Sequence, residues 1–139
     1  MPTSFSDRAE ASLGLRYTRV WKSLAWGMLL TVATLTLIPT PLQIRVPFLS
    51  WDKAQHSIAY AALMWTFLQA WEGSHIRRWA ILLLASGVGL EILQGMMGVR
   101  FMEYTDMLAN SLGVILGYGV WRTPLGRGFR RIEMSFSRH

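Results

Sequence analysis

Four long stretches of this chain carry almost no charge. Ser23 to Ile44 holds no Asp, Glu, Lys or Arg, Ala54 to Trp71 is broken only by His56, Trp79 to Val99 only by Glu91, and Tyr104 to Trp121 only by Asp106. Each is close to the ~20 residues that a helix needs to cross a hydrocarbon core. A soluble four-helix bundle would keep a polar stripe for water along every helix. Segments such as Ala80-Ile81-Leu82-Leu83-Leu84-Ala85 and Leu112-Gly113-Val114-Ile115-Leu116-Gly117 leave no face for one. The pattern predicts an all-α membrane protein, an antiparallel bundle of four transmembrane helices with short loops, over about residues 23–39, 53–71, 79–97 and 104–121. A basic segment, 1–22, precedes the bundle and a basic amphipathic tail, 122–139, follows it.

The first apolar run is read as an uncleaved helix, because Ile38-Pro39-Thr40-Pro41 stands where a signal peptide would need its small-residue cleavage site. Pro39, Pro41 and Pro47 then mark an extended loop. The formal charge of +6 raises the question of a nucleic-acid partner. Sorting Lys and Arg by alternate sides answers it. Arg8, Arg16, Arg19, Lys22, Arg77, Arg78, Arg122, Arg127, Arg130, Arg131 and Arg138 fall on one side, against Arg45, Lys53 and Arg100 on the other. Basic residues mark the cytoplasmic side, so both termini are expected inside and the charge is an orientation signal, with no nucleic acid bound. The absence of Cys removes disulfide frameworks, thiol catalysis and thiolate metal sites. In the tail, Arg127, Arg130 and Arg131 interleave with Phe129 and Ile132, as in a short interfacial helix on anionic inner-leaflet lipid.

The informative residues are those a membrane helix has reason to exclude, since a charge near mid-bilayer costs at least ~2.5 to 3.5 kcal/mol and is by default a functional candidate. Asp52, His56 and Tyr60 recur every fourth residue and share one helical face, His56 ~6 Å and Tyr60 ~12 Å below Asp52. On the next helix, which runs the opposite way, Glu91 falls ~9 Å below the outer end, with Gln94 about half as deep. On the last, Asp106 stands at the outer end and Asn110 one turn below, followed by Gly113 and Gly117. Three helices thus bring polar groups to similar depths, with Lys53 and Arg100 at the rim.

Each residue also has a plain structural role open to it. Asp52 with Gln55 fits a capping box, and Thr105 or Asp106 can cap the last helix. Asn110 can be interhelical glue, Gly113 with Gly117 a packing face, Tyr60 an ordinary packed ring and His56 a satisfied buried histidine. Glu91 is harder to place in this way, being neither terminal nor close to an interface. No glycine-rich phosphate loop, H-E-x-x-H or G-x-S-x-G occurs; a hard-metal site from His56, Glu91 and Asp106 is geometrically open, but no recognised ligand spacing supports it, and no cofactor is expected.

The set Asp52-Lys53-x-x-His56-x-x-x-Tyr60, Glu91-x-x-Gln94, Arg100 and Asp106-x-x-x-Asn110-x-x-Gly113 resembles, in this order and on successive spans, the VanZ-like family of small bacterial membrane proteins. The resemblance runs from Asp52 to Gly117, about half of the chain. It implies a multi-helix protein of the bacterial inner membrane and cell envelope, in a family whose founding member is tied to resistance to the glycopeptide teicoplanin. It implies no known reaction.

The functional expectation is a polar cup in the outer half of the bilayer that binds or processes an anionic lipid head group, a cell-wall lipid intermediate or a phospholipid. Lys53 and Arg100 would contact phosphate while Asp52, Glu91 and Asp106 hold the cations and His56 in place. In an enzymatic version His56 is the general acid or base and Glu91 orients it or exchanges a proton with it, with Asp106 beside them. Tyr60, Gln94 and Asn110 would line the cup. A scaffold whose polar network sets helix registry is the non-enzymatic alternative. A lipid or proton carrier would need a homodimer, formed through Gly113 and Gly117.

Overall fold

The computed structural model describes residues 15–38, 51–98 and 102–136, with side chains of the second stretch from Lys53 onward. The proline-bearing connection, Arg100, Arg45 and the side chain of Asp52 lie outside the described residues. Among the described residues five α-helices and one 3-10 turn follow in order: α1 (Thr18–Leu37), α2 (Trp51–Ala70), α3 (Ile76–Met97), α4 (Tyr104–Trp121), the 3-10 turn Pro124–Arg127, and α5 (Gly128–Phe136). The chain is all-α, with no strand among the described residues.

Boundaries shift from the expected ones in a consistent way. Helix α1 begins at Thr18, within the segment expected to precede the bundle, and α3 begins at Ile76, so that Arg77 and Arg78 sit in its first turn. An apolar run ends where side chains meet a polar environment, but the backbone gains from helical hydrogen bonds beyond that point. The α2–α3 connection contracts accordingly. Glu72, Gly73 and His75 all take positive φ, and the Gly73 amide donates to the Leu68 carbonyl at 2.7 Å. Any β-carbon at Gly73 would also collide with the Trp121 indole, so this turn requires glycine for both its φ and its close contact.

Contact register gives the direction of each helix. Lys53 meets Asp106, His56 meets Asn110, and Ser57 and Ala61 meet Gly113 and Gly117, so α2 and α4 run parallel. Trp79 packs on Trp71 while Ser86 reaches Tyr60, so α3 runs opposite to α2. Helix α1 also opposes α2, with Lys22 over Trp71 and Met28 against Thr66. An up-down-up-down order therefore holds, and the start of α1, the α2–α3 turn and α5 gather at one end.

That end is basic. Among the described residues it collects Arg16, Arg19, Lys22, Arg77, Arg78, Arg122, Arg127, Arg130 and Arg131, and the opposite end has only Lys53. Lys22 and Arg78 lie over the rings of Trp71 and Trp79, at 5.1 and 5.8 Å from the centroids, within a cluster completed by Trp26 and Phe67. The tightest packing in the bundle is between α2 and α4. A β-carbon added at Gly113 would collide with the Ser57 carbonyl and lie 2.8 Å from Tyr60 Cβ, and one at Gly117 would collide with the Ala61 carbonyl. Both glycines are therefore used inside the chain, which corrects the expectation that they form a dimer face.

On α3 and α4 much of the outward face is apolar and several polar groups are buried, the reverse of a water-soluble bundle. On α4 the outward face is Leu108, Leu112, Ile115 and Leu116, with Leu108 68% exposed, while Asp106 is fully buried. On α3 the outward residues include Ile81, Val88, Ile92 and Met96, while Glu91 and Gln94 are buried. Among the described helices, α1 and α3 are long and apolar enough to cross a membrane. Helices α2 and α4 carry the inward polar groups, which lower their hydropathy.

The tail does not stand apart from the bundle. Phe129, expected on a lipid-facing surface, is instead buried, stacked on Trp21 at 4.1 Å and edge-on to Trp65 at 5.6 Å. Its amide donates to Gln69 Oε1 at 2.8 Å. One turn on, the Glu133 carboxylate accepts from the amides of Arg16 and Tyr17 at 2.7 and 2.9 Å and from the Trp21 indole at 2.6 Å. Tyr17 caps α1 with no side-chain bond of its own. A carboxylate from the other end of the chain thus satisfies donors at the start of α1 and lies at the positive end of its dipole.

Two predictions follow from this packing. Gly113→Ala should lower thermal stability in detergent by about 1–3 kcal/mol, the range for overpacking a tight contact. Gly119→Ala, whose β-carbon meets nothing within 4 Å, should leave stability unchanged or slightly raised, and equal melting of the two variants would contradict the α2–α4 contact. For Glu133, burial pushes the carboxyl up, but the Tyr17 amide, the Trp21 indole and the amide and charge of Arg16 outweigh it and hold it below its ordinary value. A carboxyl lowered in the folded state stabilises at every pH above its unfolded pKa and loses that contribution as pH falls through the lowered folded value. The tail should therefore stay docked at neutral and mildly acidic pH and release only in stronger acid, whereas Glu133→Ala should release it at neutral pH. Fluorescence of Trp21 and Trp65, which both touch Phe129, reports the release.

Candidate functional site

At the end away from the arginines, the first turns of α2 and α4 lie side by side. The Lys53 ammonium sits between two carboxylates, 2.7 Å from Glu103 Oε2 and 2.9 Å from Asp106 Oδ1. The two partners differ. The Asp106 side chain is 1% exposed and that of Glu103 45%. Asp106 is therefore a fixed anchor for the ammonium, and Glu103 is a partner open to exchange with the surroundings.

Asp106 is free to turn inward because of Glu91. Glu103 is the N-cap of α4, and Asp106 falls three residues later, where a capping box would send its carboxylate back to the N-cap amide. That amide instead donates to Glu91 Oε1 at 2.8 Å. Glu91, 1% exposed on α3, thus takes the capping role across two helices, and the Asp106 carboxylate faces Lys53. The N-cap residue, Glu103, makes no side-chain cap bond of its own, and Asp106, expected as a helix cap, meets Lys53.

One turn deeper, His56 Nδ1 lies 3.2 Å from Asn110 Oδ1, and its Nε2 lies 3.9 Å from Asp106 Oδ2. With the Asn110 carbonyl oxygen accepting, Nδ1 carries the proton and the Nε2 side faces Asp106. This pairing differs from the expected one. His56 stands with Asn110 and Asp106, and Glu91 stands with the α4 N-terminus. Below them Tyr60 is buried, with its hydroxyl 3.5 Å from Ser86 Oγ, at the outer limit of a hydrogen bond. Gly87 allows α3 to approach here, since a β-carbon there would lie 2.9 Å from Asn110 Nδ2 and 3.2 Å from the Tyr60 hydroxyl.

Below Tyr60 and Ser86 the buried polar groups of α2 are Thr66, whose hydroxyl donates to Met28 Sδ, and Gln69, which accepts from the Phe129 amide. Leu63, Met64, Phe67, Leu68 and Leu83 are fully buried in the same stretch of the bundle, toward the basic end. Gln94 belongs to a different junction. Its Nε2 donates to the Thr36 carbonyl, one of the last carbonyls of α1 and so without a helical partner. The bond ties α3 to α1.

The structure thus brings together Lys53, His56, Tyr60, Asp106 and Asn110, places Glu91 behind them and Gln94 to one side, and gives Gly113 and Gly117 the role of spacing α2 from α4. Among the described residues, no group of three or more His, Asp or Glu is placed to hold a metal ion. Glu103 and Ser86 were not among the residues expected at the site. The signal for Glu103 was its i, i+3 spacing to Asp106, which puts both carboxylates on one face of the first turn. Ser86 had no distinguishing pattern. In comparisons with known proteins, no family model, curated protein or solved structure matches this chain.

The asymmetry around Lys53 predicts unequal mutational effects. Lys53→Met removes the ammonium from beside the buried Asp106 carboxylate and should cost about 3–5 kcal/mol, with much of the loss recovered in the double variant Lys53→Met/Asp106→Leu. Glu103→Gln should cost about 0–1 kcal/mol, as for an exposed pair. Chemical unfolding of the four proteins in detergent measures these differences, and an equal cost for the Lys53 and Glu103 variants would contradict the anchor role of Asp106.

Proposed function

We propose that this chain is a multi-pass protein of the bacterial inner membrane, of the VanZ-like kind, with four membrane-crossing helices, both termini cytoplasmic, and a site in the outer half of the bilayer for an anionic lipid head group. The observation that carries the reading is the inverted burial of α3 and α4, with Leu108 and Ile115 outward and Asp106, Asn110 and Glu91 inward. Water would select against that exterior, and lipid selects for it. The basic end supports the orientation, because cytoplasmic flanks carry the excess of Lys and Arg.

Electrostatics narrows how a head group is held. Lys53 is already paired, so a phosphate cannot meet a bare ammonium. It would replace the exposed carboxylate of Glu103 while Asp106 keeps the ammonium in position. A charge-assisted bond to phosphate is then exchanged for one to a side chain that returns to water at little expense. His56, next to Asp106, would be the group able to take up or release a proton on the bound head group.

A registry scaffold is the second reading, favoured by the fact that Lys53, Asp106, His56 and Asn110 bond to one another within the chain. Native mass spectrometry of protein extracted with its lipids separates the two. On the head-group reading Glu103→Gln retains more anionic lipid than the wild type and His56→Ala alters retention without loss of folding. Identical lipid content in all three proteins would leave the scaffold as the function. The resemblance adds a phenotype to examine, a changed susceptibility to teicoplanin on deletion.

A further inference from the structure

We propose that α5 is a built-in anchor for an anionic membrane surface, held in place by Phe129 and Glu133 so that its apolar flank enters the lipid at the basic end. The proposal rests on the membrane reading above and concerns a surface that reading leaves unused.

Phe129 and Glu133, one turn apart, face the bundle and are buried. At 3.6 residues per turn, Ile132 and Phe136 share the adjoining flank, and they are 43% and 71% exposed. Leu125, in the preceding turn, is exposed as well. Arg130 and Arg131 project from the rest of the helix, and Arg127 precedes it. The single acid of this segment, Glu133, is consumed by the start of α1, so the outward charge is wholly positive.

Depth agrees with this charge pattern. Phe129 lies against Trp65, and the Trp65 indole donates to the Leu125 carbonyl at 3.2 Å. Trp65 stands about 7 Å inside the end of α2 at Ala70, at 1.5 Å per residue. The tail therefore folds back along the bundle to a level inside its basic end, and interfacial helices sit about 5–10 Å into the head-group and acyl boundary. From that level the helix runs toward the start of α1, where Glu133 meets the Arg16 and Tyr17 amides, and lipid at this end would cover the apolar surface that Ile132 and Phe136 expose. Anionic head groups fit the three arginines, whose attraction to a negative leaflet is additive.

The chain has no Cys, so single-cysteine variants can be labelled at one place. Full-length Ile132→Cys, Phe136→Cys and Met134→Cys, each carrying an environment-sensitive fluorophore, are reconstituted in phosphatidylcholine vesicles with and without phosphatidylglycerol. Labels at 132 and 136 should be quenched by lipid spin-labelled near its carbonyls, and the label at 134, on the arginine side, should stay water-like. Replacing Arg127, Arg130 and Arg131 by Gln should reduce the bias toward phosphatidylglycerol by roughly fivefold per arginine. Equal quenching at 132, 134 and 136 overturns the proposal. So does shielding at 132 and 136 that is indifferent to the spin-labelled lipid, which would mean that a protein covers the face. A label at Ile115→Cys, read with deep spin-labelled lipid, is the separate check on the span. Failure there removes the membrane reading itself, and success there with failure at the tail removes only the anchor.

Discussion

Most of this structure follows from the backbone contact between α2 and α4. Gly113 and Gly117 present no side chain to Ser57 and Ala61, so the two helices run parallel with their main chains nearly touching. Small residues at such a seam allow close packing that lipid cannot match. The approach also sets register. Lys53 and Asp106 are 53 residues apart in sequence, and His56 and Asn110 are 54 apart. One nearly constant offset therefore carries the seam up into the polar line. A larger residue at either glycine would spread the helices and pull His56 away from Asn110 before it touched any polar group directly.

Around that pair the four helices divide the work. Helices α2 and α4 hold the polar groups and turn them toward each other, while α1 and α3 supply apolar length and a few ties. The ties are specific. Glu91 takes the α4 N-cap amide, Gln94 takes a terminal carbonyl of α1, and Glu133 takes the amides at the start of α1. Each satisfies a helix end from another element of the chain, 12 residues away for Glu91, 58 for Gln94 and 117 for Glu133. A buried helix end has to find its partner within the protein.

The helices and much of the site were legible because both signals are periodic or local. Charge-free runs located α1 to α4 to within a few residues, and four-residue spacing put His56 and Tyr60 on one face. Partner choice was less legible. Glu91 looked like the natural companion of His56 because both are titratable groups at similar depth, yet it bonds the Glu103 amide, and Asp106 stands beside the imidazole. Depth along a helix follows from counting residues, whereas the azimuth at which two helices meet depends on side-chain volumes on both. Glu103 is hard to single out in the sequence for a related reason. It lies at a loop boundary, and its value comes only from where Lys53 is.

The sequence by itself determined the number of long helices, the segregation of basic residues and the inventory of polar groups available inside, because each follows from hydropathy and counting along one dimension. Tertiary structure alone decided which polar group meets which, that Lys53 is already neutralised, that Phe129 turns inward, and that the tail is clamped by Glu133 to the start of α1. Those outcomes depend on the distance and rotation between helices. Steric fit at a few small residues sets both, and that information is spread over pairs of positions far apart in the chain.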